Sequence, residues 1–208
     1  MTFALFSTIM ETRNARDTRI YKGKIMRKNA YVLHRLAAVG ILTAMSLIAF
    51  VVESMFPPLF VPGAKIGFSN LFSLIALILW SPAEACAVFL CRTLLGGLIF
   101  GNAASMAYSL AAGGVALAVS SLLLYGAFPR IGFVSVSVCA AIVHNLVQNA
   151  IFCAMSGVPQ AWIYLPYLVM LGAISGTAVG AAGVWIVRAL PERIYEKTLR
   201  PLRSDAST

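Results

Sequence analysis

Charge is scarce in this sequence. Only 11% of its 208 residues are Asp, Glu, Lys or Arg, against roughly a quarter in a soluble domain. The shortage falls on the acids, seven in all against sixteen Lys and Arg. They never cluster, so nothing resembles the aspartate-rich site that would hold magnesium on a diphosphate. Histidine is rarer still: His34 and His144 are far apart in the chain, too few and too separated for a metal centre. Four cysteines, Cys86, Cys91, Cys139 and Cys153, lie inside apolar runs without CxxC spacing. They read as buried free thiols, not as a disulfide framework or a zinc site. No Walker loop, HExxH or serine nucleophile elbow occurs. These gaps argue against catalysis by this chain alone and leave no cofactor implied. The opening "MTFALFSTIM" has no basic region before it, so it does not read as a secretory signal. It is either a short interfacial segment or a misassigned start with Met26 as the true beginning.

What the chain does have is apolar length. Sixty per cent of residues are hydrophobic and the mean hydropathy is +0.87. The runs predict an all-α, polytopic membrane bundle of six transmembrane helices, over 36–56, 66–80, 83–100, 103–125, 132–155 and 166–188. The second is short for a bilayer, about 22 Å of helix at roughly 1.5 Å per residue. Three regions follow: a basic segment 1–35, a transmembrane domain 36–190 and a basic tail 191–208. Eight Lys and Arg precede residue 36, and five lie from Arg188 onward. With Arg130 they place fourteen of sixteen cations on one face. That predicts an inner-membrane protein with both termini cytoplasmic, and it favours a topology signal over a nucleic-acid arm.

Polar residues recur where they are costly. Arg92 falls near the middle of the third run, where insertion costs about 2.5–3.5 kcal/mol. Lys65 and Asn70 flank the start of the second run, in "PGAKIGFSN", and Asn102 follows the third. The fifth run carries His144, Asn145, Gln148 and Asn149. His144 and Gln148 share one helical face, and Asn145 and Asn149 share the next. With antiparallel neighbours, all of these lie between the midplane and the outer surface. Intramembrane ionisable groups face the bundle interior and mark sites or pathways, so these residues are the candidate binding set for a small polar or anionic solute, under a loop that includes Lys65. The plainer alternatives are an ion pair of Arg92 with Glu53 or Glu84, and interhelical hydrogen bonding by the amides.

Small residues form two ridges: Gly172, Gly176 and Gly180 in the sixth run, and Gly40 with Ala44 in the first. Such ridges pack helices closely, either within this chain or against a membrane partner.

The stretches "PGAKIGFSNLFSLIAL", "RTLLGGLIFGN", "YSLAAGG" and "AAIVHNLVQNAI" resemble small bacterial membrane proteins called Gx transporters, a family also labelled heptaprenyl diphosphate synthase component I. The resemblance covers about residues 36–188. In size and six-helix plan the family is similar to the substrate-binding S components of energy-coupling factor transporters. It implies a solute-binding membrane subunit without a nucleotide site of its own, working with a coupling and ATPase module. It also implies docking on that module through small residues of the first helix, here Ala37, Ala38, Gly40 and Ala44. The alternative implied by the second label is a noncatalytic accessory of a separate prenyltransferase in isoprenoid-quinone synthesis.

Overall fold

The computed structural model describes residues 26, 32–53, 55, 67–100, 103–128 and 130–189. Lys65, Asn102, the stretch 56–66, the basic tail 191–208 and all but the end of the basic segment 1–35 lie outside the described residues. The chain divides into two units, Met1–Ala38 and Val39–Thr208. The packing that follows belongs to the second.

Every regular element among the described residues is helical: α1 (Val32–Glu53), α2 (Phe68–Leu79), α3 (Pro82–Phe100), α4 (Ala103–Gly126), α5 (Phe133–Ser156), a 3-10 turn (Pro159–Tyr164) and α6 (Leu165–Ala189). Five of them are long and apolar enough to cross a membrane; α2, with 12 residues, is not. Its length corresponds to about 18 Å, shorter than the 15-residue run in the sequence predicts. The helix starts late because Gly67 takes a left-handed conformation (φ 89°) at its N-terminus, which a residue with a Cβ adopts only with strain. It stops at Trp80, ahead of Ser81-Pro82.

The short helix is the centre of the bundle. Leu71, Leu74, Ile75, Ala76, Leu77, Ile78 and Leu79 are all buried, as expected of a helix apolar on every side. It packs on α3, α4 and α6, and Ser46 of α1 donates to the Ser69 carbonyl at 2.7 Å. Large apolar side chains also lie on the bundle surface. Ile41, Ile48, Leu98, Leu122, Ile174 and Trp185 are all more than 60% exposed. Faces of this kind suit lipid, not water. Exposed Trp162, Tyr164 and Tyr167 gather at one end and Tyr125 and Trp185 toward the other, the pattern of interfacial aromatic belts. The protein is a multi-pass helical membrane bundle.

The longest seam joins α5 to α6. Gly172, Gly176 and Gly180 are buried in it. A Cβ on each would lie 3.0, 2.7 and 2.9 Å from the Cα atoms of Ile142, Val138 and Val134. The ridge is therefore used inside the chain, in the α5–α6 seam. The α1 residues differ. Ala37, Gly40 and Ala44 are exposed and Ala38 is half-buried; a Cβ on Gly40 would meet nothing within 4 Å.

Candidate functional site

The site begins at the first turn of α2. That turn has no side-chain cap of its own, so its free N–H groups need an acceptor. Glu53, at the end of α1, supplies it. Its Oε1 accepts from the Phe68 N–H at 2.5 Å and its Oε2 from the Ser69 N–H at 3.5 Å. A carboxylate is favoured there by the helix dipole as well as by the hydrogen bonds. Arg92 reaches the same turn from α3. It donates through Nη1 to the Ser69 hydroxyl and through Nη2 to Asn70 Oδ1 at 3.0 Å, and its guanidinium lies 5.5 Å from the Phe89 ring centre. Glu53 and Arg92 are both buried, one acid and one base on a single turn. The other acid open to Arg92 on sequence grounds, Glu84, sits in the first turn of α3 and accepts from the Ser81 hydroxyl, a capping arrangement.

Beside this node lies a cavity of about 40 Å³ between α2, α3, α4, α5 and α6. Its polar wall includes Asn70, Ser73, Ser137, His144 and Asn145; its apolar wall includes Leu74, Phe89, Leu117 and Val179. Glycine and alanine make the space: Gly67, Gly113, Ala116, Ala140 and Ala141 complete the lining with Ser120 and Ser175. Ser73 and Ser137 are nearly inaccessible, and their hydroxyls have no protein partner among the described residues.

The expected binding set therefore separates. Asn70, His144 and Asn145 come together on the cavity wall. Arg92 is outside the lining and touches it only through Asn70. Two amides of α5, Asn145 among them, also hold the chain that follows it. Asn149 Nδ2 donates to the Ala161 carbonyl at 3.4 Å, and Asn145 Nδ2 donates to the Leu168 carbonyl at 3.0 Å. Gln148 is buried beside them on the same helix but is not among the lining residues. Asn145→Ala is expected to loosen the start of α6 by about 1 kcal/mol, read as a lower melting temperature in detergent. Sequence reasoning missed Ser73 and Ser137. The available signal was register: Ser73 is three residues from Asn70, and Ser137 is seven from His144, on the same helical faces.

Residues 42–185, well over half of the chain, match the family model described as heptaprenyl diphosphate synthase component I. No curated protein and no solved structure matches the chain. The specific motifs of α2 to α5, the helical architecture and this match agree: the chain belongs to the heptaprenyl diphosphate synthase component I family.

Proposed function

We propose that this protein is a noncatalytic membrane subunit of a prenyl diphosphate synthase, holding a separate prenyltransferase at the bilayer. The family match over 42–185 carries this reading. The sequence supports the division of labour, because its seven acids include no cluster that would bind a metal diphosphate. The physics of the product supports the location. A heptaprenyl tail has about 35 carbons, and burial of each methylene is worth about 0.8 kcal/mol. An enzyme held at the membrane surface releases such a tail directly into lipid. The basic segments 1–35 and 191–208 support a cytoplasmic position for both termini at a bacterial inner membrane under the positive-inside rule, where the soluble partner would be met.

A second reading, a solute-binding transporter subunit, is favoured by the cavity between the helices, whose mostly apolar wall carries a few polar side chains. In that case a coupling and ATPase module would supply the energy and would dock on the exposed α1 face around Gly40 and Ala44. Purification of the tagged full chain from membranes in mild detergent, with mass spectrometry of the retained proteins, separates the two. A soluble prenyltransferase at near-equal amount is the expected result. Retention of an ATPase with a membrane coupling subunit instead would replace the first reading with the second.

A further inference from the structure

On sequence grounds the residues suit a small polar or anionic solute, with Arg92 and Lys65 near the amides. The geometry of the described residues favours the uncharged of these two. Arg92 does not line the cavity. Both of its Nη groups are directed to Ser69 and Asn70, and Glu53 places a carboxylate on the same turn of α2. The charge of Arg92 is thus offset before it reaches the wall. The wall itself carries hydroxyls, amides and one imidazole, with no Asp, Glu, Lys or Arg among the described lining residues. An anion placed there would lose its water with no cation among the described lining residues to offset the loss, a cost of several kcal/mol in an apolar bundle. A neutral hydrogen-bonding group avoids that cost.

Two further features define what fits. Because Asn70 Oδ1 accepts from Arg92, the amide nitrogen of Asn70 is the group left to donate to a ligand. It lies beside Gly67, another lining residue: Nδ2 is 3.6 Å from where a Cβ on Gly67 would lie. The hydroxyls of Ser73 and Ser137, which either donate or accept, are buried on the same wall with no protein partner among the described residues. Buried polar atoms of this kind are ordinarily satisfied by water or by a ligand. A volume of about 40 Å³ corresponds to about three to four water-sized positions, hence to a molecule or terminal group of about that many non-hydrogen atoms.

We infer that the cavity bounded by Asn70, Ser73, Ser137 and His144 is a binding site for a small uncharged hydrogen-bonding group, of the primary amide or alcohol class, and discriminates against anions. The inference rests on the second, solute-binding reading of the cavity.

Acetamide and acetate test it, being alike in shape and different in charge. The full chain in nanodiscs at pH 8 is titrated with each, and binding is read by saturation-transfer NMR on the ligand methyl group. Acetamide is expected to bind saturably, with acetate at least tenfold weaker. Ser73→Ala with Ser137→Ala is expected to weaken acetamide by fivefold or more. Neither hydroxyl bonds to the protein among the described residues, so the variant should fold, and an unchanged melting temperature confirms that it does. Ala140→Leu, which fills the same cavity by volume, should abolish the signal independently. Acetate binding as tightly as acetamide overturns the neutral-ligand inference while leaving a solute site in place. Absence of binding by both probes, or acetamide binding untouched by the variants, overturns the inference and the solute-binding reading together.

Discussion

Gly176→Leu is expected to destroy the α5–α6 seam. A Cβ at position 176 would lie 2.7 Å from Val138 Cα, and 3.0 Å from both Ala141 Cβ and the Ser137 carbonyl oxygen. Two of these three neighbours are backbone atoms, which cannot swing aside as a side-chain tip can. Overpacking a tight core costs typically 1–3 kcal/mol, and here the helices themselves must separate, so a loss above about 3 kcal/mol is expected. For a chain of this length that is a fall in melting temperature on the order of 10 °C, read by thermal unfolding in detergent. Gly114→Ala is the matched control. A Cβ there meets nothing within 4 Å, and alanine is the better helix former by up to about 1 kcal/mol. Its melting temperature should be unchanged or slightly higher. A Gly176→Leu protein that melts like the parent would show that the ridge does not pack on α5.

Arg92→Met is expected to be nearly as damaging, for an electrostatic reason. It leaves the Ser69 hydroxyl and Asn70 Oδ1 without their donor, and it leaves Glu53 buried as an acid without the neighbouring base. Removing one partner from a buried charged network costs about 3–5 kcal/mol. Glu53→Gln should cost less, because a glutamine oxygen still accepts from the Phe68 N–H. The double variant Glu53→Gln, Arg92→Met should recover part of the loss, with a coupling of about 1–3 kcal/mol between the two sites. A cost for Arg92→Met below about 1 kcal/mol with no coupling would mean that the arginine is free for a ligand after all.

These two cases also mark how far the sequence could be read. The helices were legible because lipid-facing segments must be long, apolar and internally hydrogen-bonded. The shortness of α2 was only partly legible, since Ile66 continues the apolar run and only the left-handed turn at Gly67 sets the true start. That Asn70, His144 and Asn145 meet was legible from their shared half of alternating antiparallel helices. The role of Arg92 was not, because Glu53 and Glu84 were equally available partners in the sequence, and tertiary packing chose between them. The serines were the hardest. Ser120, Ser121 and Thr93 each donate to the carbonyl four residues back, a common habit of hydroxyls in helices. Only register with Asn70 and His144 sets Ser73 and Ser137 apart from them; those two line the cavity without such a bond. The glycine ridge was ambiguous for the same reason: small residues at helical spacing serve inner and outer seams alike.

Reconstitution offers the most direct check on the proposed role. The purified full chain is placed in vesicles, alone or with the separately purified prenyltransferase, and supplied with prenyl diphosphate substrates. Product length and yield are then measured in the lipid phase. The chain alone should form no elongated product, while the pair should form it and deliver it to the bilayer in greater yield than the soluble enzyme with empty vesicles. Elongation by the chain alone, or a soluble enzyme indifferent to its presence, would contradict a noncatalytic subunit that holds the synthase at the membrane.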